Sequence, residues 1–324
     1  MRNFKRARTA EEQKKLTVRL PSSLYLGVLE KAKAERASLT NVVEALLLAW
    51  VDGGNEALEL FPALKRKYSN LLLAKRIFES LLSCDGKKMF SVVTRTWNPV
   101  TGCTHVCRYC WARRLAATKL KSSPRYSKGF VPRFNEEELK VSFKPGEVVF
   151  VSDMGDLFCG GVPDKWIIRV LEHVAKFPDT HFLFLTKNPE RYRDFLDRFP
   201  PNSILGATLE TNRDDLYVER AVSYAPLPSL RYEAMRSLNW DKKFVSIEPI
   251  LDFDLDEFAE WIFDIFPFMV YLGYDNYNNK LPEPPLKKTL ELVKRLSEHT
   301  LVVRKTIRPA WFETMKQFAG GESG

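Results

Sequence analysis

The sequence predicts an α/β protein in which a partial parallel (β/α) barrel follows a small N-terminal module. Short apolar runs, typical of strands that are buried on both faces, recur from residue 90 onward. Helical patterns separate most of these runs, and such alternation favours a parallel sheet. Ahead of them, one strand-like stretch and two helical stretches share residues 14–53 and form the expected extra module.

We expect strands at seven apolar runs, which would give a partial or nearly closed barrel. The predicted strands cover residues 90–93, 148–152, 182–186, 204–209, 244–247, 269–272 and 301–303. The predicted helices between them cover residues 164–176, 190–198, 254–265 and 285–298. Functional groups in such folds gather at the carboxyl ends of the strands, so polar residues at those ends are the first candidates for a site.

The composition excludes several classes of protein. Of the 324 residues, 45% are hydrophobic, which suffices for a packed core and excludes a disordered chain. The longest apolar runs fall far short of the ~20 residues that span a bilayer, and the basic start lacks the apolar segment of a secretory signal. The chain has five cysteines, an odd number, which indicates a metal site rather than a disulfide framework. We therefore expect a cytoplasmic protein without membrane association.

The N-terminal module combines a basic strand with two helices. Residues 15–20 alternate polar and apolar side chains, as a half-buried strand does. Strand, helix and helix in this order resemble the ribbon–helix–helix fold of Arc-type repressors, in which two chains pair their strands. The resemblance implies a homodimer whose outward residues, Lys15, Thr17 and Arg19, contact DNA. Alternatively, the module serves only for dimerisation.

Four regions follow from these patterns. Residues 1–55 form the ribbon–helix–helix-like module, and residues 56–87 form a helical connector with one basic side. Residues 88–308 form the barrel, and residues 309–324 form a C-terminal tail.

A long segment without acidic residues suggests an anionic ligand. Between Asp85 and Glu136 lie 50 residues that contain eleven Lys and Arg, seven Phe, Trp and Tyr, and no Asp or Glu. Basic side chains interleaved with flat rings suit a polyanion whose bases stack, and Arg113 and Arg114 are the candidate contacts to nucleic acid. The alternative is an ordinary solvated basic face.

Three cysteines in one loop predict a metal centre. Cys103, Cys107 and Cys110 follow the pattern C-x3-C-x2-C, and three thiolates can hold three irons of a [4Fe–4S] cluster while the fourth iron stays open. A zinc site with His105 as the fourth ligand is an alternative, although His105 lies only two residues after Cys103. Free thiols are a third possibility.

The cysteine motif, with the aromatic Tyr109 before its third cysteine, resembles the signature of the radical S-adenosylmethionine (SAM) superfamily. The resemblance implies a partial barrel, a [4Fe–4S] cluster, and SAM that is cleaved to a 5′-deoxyadenosyl radical by an electron from an external low-potential donor. It places Tyr109 beside the cluster and assigns candidate SAM contacts at the strand ends. Asp153 or Asp156 would meet the amino group, Lys187 the carboxylate, and Glu210 or Asn212 the ribose. Each of these could instead be a helix cap or a strand-end hydrogen-bond partner.

Four further runs, at residues 96–103, 152–158, 185–191 and 244–249, are similar to a group of phage- and prokaryote-associated radical-SAM proteins that is distantly like spore photoproduct lyase. The short spacing of the first two cysteines and the N-terminal module are departures from that group. By the same resemblance, Cys159 would be catalytic and return hydrogen to a product radical. An auxiliary metal centre or a plain buried thiol are the alternatives for Cys159.

These observations predict a radical SAM enzyme that modifies or repairs a nucleic acid. Two alternatives stay open. One is a radical SAM enzyme with a small-molecule or peptide substrate, whose N-terminal module only dimerises. The other is a DNA-binding regulator that senses redox state or SAM through its cluster.

Overall fold

A computed structural model describes residues 90–313 of the chain. The predicted module at residues 1–55, with Lys15, Thr17 and Arg19, lies outside the described residues, as does the connector. Most of the predicted C-terminal tail lies outside them too. The boundaries between the four regions therefore stay predictions.

Seven parallel strands form the sheet on which the site is built. The strands are β1 Arg95–Trp97, β4 Val148–Val151, β5 His181–Thr186, β6 Ser203–Thr208, β7 Lys243–Ile247, β8 Met269–Leu272 and β9 Leu301–Arg304. Their order across the sheet is β1-β4-β5-β6-β7-β8-β9, and every neighbouring pair is parallel. A separate antiparallel pair consists of β2 Val100–Thr101 and β3 Arg133–Phe134. The predicted α/β partial barrel is confirmed.

Helices connect most of the parallel strands. The α-helices are α1 Trp111–Ala117, α2 Asp164–Val174, α3 Asp214–Glu219, α4 Pro228–Arg236, α5 Leu255–Ile265 and α6 Leu286–Leu296. Three 3₁₀ segments cover Pro124–Tyr126, Glu136–Lys140 and Pro189–Arg198. Within residues 90–313 no helix has both the length and the apolar character needed to cross a membrane.

The barrel is open on one side. Strand β1 pairs with β4, beginning at Arg95 opposite Val149, and β9 pairs with β8, beginning at Leu301 opposite Met269. Among the described strands, neither β1 nor β9 has a second neighbour, so these two strands form the edges of the opening.

Alternate residues of each strand enter two different cores. On β4, Val149 and Val151 belong to a large cluster that includes residues of α2, whereas Val148 and Phe150 belong to a second cluster of strand residues. The first core lies between sheet and helices, and the second fills the barrel interior. Burial on both faces explains why the strands are nearly continuous apolar runs in the sequence.

The prediction of a strand at residues 90–93 was wrong. The amide of Val93 donates to the carbonyl of Phe90 (3.1 Å), so this segment turns instead of extending. The Phe90 ring is fully buried and lies 4.6 Å from the ring of Tyr271 and 5.3 Å from that of Phe150. The apolar run is therefore buried by aromatic packing inside the barrel, and the first strand begins later, at Arg95.

Candidate functional site

The cysteine loop is anchored at Gly102. Its φ of +83° is a conformation that glycine adopts without strain, and a Cβ there would lie 2.1 Å from the carbonyl oxygen of Val131. The amide of Gly102 donates to the carbonyl of Met154 (2.9 Å), and that of Cys103 donates to the carbonyl of Phe130 (2.9 Å). Backbone bonds on both sides thus hold the first cysteine above the carboxyl end of β4.

The three cysteines of the motif line one cavity of about 1180 Å³, and each is partly exposed. Backbone amides point at two of the sulfurs, from His105 to the Sγ of Cys103 (3.4 Å) and from Arg113 to the Sγ of Cys110 (3.3 Å). The Sγ of Cys107 lies 3.1 Å from the hydroxyl of Ser223. Hydrogen-bonded sulfurs that converge on one open cavity are suited to an iron–sulfur cluster, whose potential such bonds tune.

Two of the three thiols, those of Cys103 and Cys107, have a raised pKa, which favours their protonated form when no cation is bound. A hydrogen bond with Cys159, burial and the charge of Asp156 raise the pKa of Cys103. Burial also raises the pKa of Cys107, and the charge of Lys187 partly offsets this increase. Because metal ligands must be thiolates, binding of a metal centre here would release protons.

His105 is tied to a carboxylate rather than free for a metal. Its Nε2 lies 3.1 Å from the Oδ2 of Asp156, and both side chains are buried. Asp156 also accepts hydrogen bonds from the amides of Phe158 (2.9 Å) and Lys187 (3.0 Å) and from the hydroxyl of Thr186 (2.8 Å). Burial alone would raise the pKa of Asp156, but these donors, above all His105, lower it.

One geometric feature does match the zinc alternative. The donor atoms of Cys103, His105 and Asp156 lie within 4.8 Å of one another. Metal binding by His105 and Asp156 would compete with the hydrogen bond between them. We therefore interpret this pair as a brace that joins the cysteine loop to β4 and β5.

Behind Tyr109 lies a buried charge network. The Tyr109 hydroxyl donates to the carboxylate of Glu210, whose Oε2 lies 2.7 Å from the Nη1 of Arg231. Glu210 and Arg231 have no exposed side-chain surface. The Nζ of Lys187 lies 3.6 Å from Glu210 and 5.3 Å from the centre of the Tyr109 ring. Burial alone would raise the pKa of Glu210, but Arg231, followed by Lys187, lowers it. Glu210 thus positions two groups of the cavity wall.

A second polar pair lines the cavity directly after β7 and β9, neither of which is a neighbour of β4 in the sheet. The Oε2 of Glu248 lies 2.8 Å from the Nζ of Lys305, and both side chains are largely buried. A Cβ on Gly273 would lie 3.1 Å from the Cβ of Lys305, so glycine leaves room for the pair. Burial raises the pKa of Glu248, and the charge of Lys305 partly offsets this increase. Arg304 and Tyr271 line the same part of the cavity wall.

Comparison with known proteins assigns the chain to a family. A family model described as "Protein of unknown function (DUF5131)" matches residues 89–324. The chain belongs to the DUF5131 family. No curated protein matches it.

Solved structures of spore photoproduct lyase are similar to this DUF5131 chain. A double mutant with bound AdoMet and dinucleoside spore photoproduct is 14% identical, with a TM-score of 0.43 over 64% of this chain and 62% of the other. The lyase complexed with dinucleoside spore photoproduct is 15% identical, with a TM-score of 0.40 over 62% and 60%. The DUF5131 chain thus spans less than two thirds of the lyase chains. A likeness at this level carries no argument about activity.

Of the twelve predicted site residues of the DUF5131 chain that lie within residues 90–313, seven meet at the cavity. The lining includes Cys103, Cys107, Cys110, Tyr109, Asp153, Asp156 and Lys187. Glu210 and Asn212 are outside the lining. Asn212 donates to Glu257 (2.8 Å) and accepts from the amide of Asp254 (2.9 Å), so it fastens the start of α5.

Three further predicted residues lie away from the lining. Cys159 is fully buried behind Cys103. Arg113 and Arg114 are on α1, where Arg114 donates to Asn279 (2.7 Å) and lies over the ring of Tyr277. The geometry leaves the roles of all three as predictions.

Sequence reasoning gave no role to the pair Glu248–Lys305. A signal was present, because Glu248 directly follows β7 and Lys305 directly follows β9. The rule that sites form at the carboxyl ends of parallel strands points to both positions. Only the fold reveals that Glu248 and Lys305 pair with each other.

Proposed function

We propose that this DUF5131 member is a radical SAM enzyme. Cys103, Cys107 and Cys110 would hold a [4Fe–4S] cluster, which supplies the electron that splits SAM into methionine and a 5′-deoxyadenosyl radical. The observation that carries the proposal is the convergence of these three sulfurs on one cavity, with amide donors directed at two of them. The low-potential electron would come from an external donor.

The residues next to the sulfurs support a division of labour for SAM. Lys187 offers a cation for the carboxylate, since its ammonium lines the cavity and acts electrostatically on Cys107. Asp153 suits the amino group better than Asp156. Its Oδ1 accepts one bond from Asn98 (2.6 Å), whereas both oxygens of Asp156 are engaged. Burial raises the pKa of Asp153, and a bound ammonium group would lower it again, because a nearby cation favours the charged carboxylate.

The cavity is large enough for a substrate beside the cofactors. Its whole volume, which the cluster and SAM would share with the substrate, is about 1180 Å³, above the ~300–1,000 Å³ of most small-ligand pockets. Arg95 on β1 and Arg304 on β9 are exposed, line the cavity and flank the open side of the barrel. Cations at both edges of an opening suit a phosphate backbone. We propose a nucleic acid as substrate, with Glu248 and Lys305 contacting the group that reacts.

Anaerobic reconstitution tests the cofactor. The wild type should bind about four irons per chain, show broad absorbance in the visible range and form 5′-deoxyadenosine with SAM and dithionite. Cys107→Ala should lose all three properties, whereas the matched control Cys159→Ala should keep the iron. A colourless protein with one tightly bound zinc would overturn the proposal. A protein that binds the cluster but forms no 5′-deoxyadenosine would favour the alternative of a DNA-binding regulator that senses redox state or SAM.

Filter binding at several salt concentrations tests the substrate class. The wild type should retain DNA or RNA at low salt and release it as salt rises. The doubly substituted variant Arg95→Gln, Arg304→Gln should bind more weakly and show a shallower salt dependence. Absence of retention at low salt would favour a small substrate.

A further inference from the structure

An exposed apolar patch lies on the cysteine loop. Val106 and Tyr224 are 42% and 78% exposed. They are neighbours, because the amide of Tyr224 donates to the carbonyl of His105 (2.6 Å), the residue before Val106. We call Val106, Arg108, Arg220 and Tyr224 the loop face.

The loop face is connected to a cluster ligand by short hydrogen bonds. The hydroxyl of Ser223, next to Tyr224, lies 3.1 Å from the Sγ of Cys107 and donates to the carbonyl of His105 (2.8 Å). The amide of Arg108 donates to the carbonyl of Val222 (3.0 Å). A single layer of residues therefore separates the loop face from the sulfur of Cys107. An electron that enters at the loop face has a short path to this sulfur.

The charge of the loop face is mainly positive. Arg108 and Arg220 are exposed, and the guanidinium of Arg108 donates to the carbonyl of Arg220 (2.9 Å), an acceptor without charge. The cysteine loop belongs to the acid-free segment between Asp85 and Glu136, so it contributes no carboxylate. Glu219 is the exposed acid next to Arg220.

We propose that the loop face is the docking site of the electron donor, a small protein with an acidic surface around a one-electron redox group. This inference rests on the radical SAM function proposed above. In each encounter the donor loses one electron and the cluster gains it, with no other group transferred. Apolar side chains rimmed by arginine are typical of protein interfaces, and transient redox complexes bury less than about 1,200 Å². A nucleic acid also pairs with arginines and stacks on tyrosine rings, so retention of DNA by the variants is measured beside the flavodoxin rate to separate the two occupants.

The test compares two reductants of the reconstituted full-length protein. Bleaching of the cluster absorbance is followed with photoreduced flavodoxin and, separately, with dithionite. Tyr224→Asp and Arg220→Glu should each slow reduction by flavodoxin at least tenfold and leave reduction by dithionite unchanged. The matched control is Phe266→Asp, which alters an exposed apolar side chain (68%) at the end of α5.

Each outcome has a defined meaning. Equal flavodoxin rates in wild type and variants would overturn the docking site, as would an equal slowing by dithionite, which would indicate damage to the cysteine loop. A change in oligomeric state or in DNA retention without a change in the flavodoxin rate would assign the face to another occupant and overturn it too. A wild type that dithionite cannot reduce would contradict the proposed function itself.

Discussion

Glu210 and Arg231 form an ion pair with no exposed side-chain surface and 2.7 Å between Oε2 and Nη1. The carboxylate also accepts from Tyr109 and lies near Lys187, so the pair supports two groups at the cavity wall. Like Asn212, Glu210 is therefore a predicted SAM contact whose position indicates support of other residues rather than contact with a ligand.

Removing one partner of this pair should destabilise the protein. We expect Arg231→Met to lower the free energy of unfolding by about 3–5 kcal/mol, because it leaves the Glu210 carboxylate buried without its main counter-charge. Urea denaturation measures the change. Arg236→Met removes an exposed arginine of the same helix α4 and should stay within about 0.5 kcal/mol of wild type. Equal stability of the two variants would contradict the account.

Two glycines with positive φ provide a matched test of the cysteine loop. Gly102 and Gly129 have φ of +83° and +79°, but a Cβ would collide with Val131 at Gly102 and meet nothing within 4 Å at Gly129. Gly129→Ala should cost about 1 kcal/mol from backbone strain alone. Gly102→Ala should cost more and also reduce the iron content after reconstitution. Equal iron content in both variants would show that the loop tolerates the collision.

The two lysines of the cavity should differ in their effect on SAM. Lys187→Met removes the cation proposed for the carboxylate, and loss of such a charged hydrogen bond, about 1.5–3 kcal/mol, should raise the Kd of SAM at least tenfold. Lys305→Met, which removes the partner of Glu248, should change the Kd of SAM by less than about twofold. Equilibrium dialysis of the reconstituted protein measures both. A larger effect of Lys305→Met would reverse the proposed orientation of SAM in the cavity.

His181 should make the fold sensitive to mild acid. It is 1% exposed at the start of β5, and burial, with a smaller effect of Lys242, lowers its pKa from 6.5 to about 4. The unfolded chain therefore binds a proton more readily. Stability is complete above pH 6.5 and falls as the pH drops toward 4, by about 2 kcal/mol at pH 5.

Urea midpoints at pH 7.5 and pH 5 check this prediction. His181→Leu should lose less stability between the two pH values than wild type does. His299→Leu, at an exposed position, should behave as wild type. If His181→Leu and wild type lose equal stability, His181 has no part in the acid response.

The sequence pattern predicted the strands that are buried on both faces of the sheet. It predicted a strand wrongly at residues 90–93, which aromatic rings bury without any strand pairing. Of the predicted strand 148–152, residues 148–151 form a ladder because both faces of β4 are covered. Residues 90–93 are as apolar, but the rings of Phe150, Phe244 and Tyr271 surround Phe90 and bury the run without any ladder. Periodicity reports that a segment is buried, not which neighbour buries it.

The candidate site divides in the same way. The spacing of Cys103, Cys107 and Cys110 is local, so their common position was predictable from the loop alone. Whether a strand-end carboxylate faces the cavity depends on its partners in space. Arg231, 21 residues after Glu210, engages that carboxylate, and His105, 51 residues before Asp156, engages the other. No pattern within one segment of the chain contains that information.

The placement of Phe90 has a consequence for traffic through the barrel. Its ring stops the interior at one end, while the cysteines and the Glu248–Lys305 pair share the space on the other side. With that end closed, the routes that stay open among the described residues are the carboxyl ends of the strands and the gap between β1 and β9. A long polymer lying across the carboxyl ends would leave the gap as the route for small reactants and products.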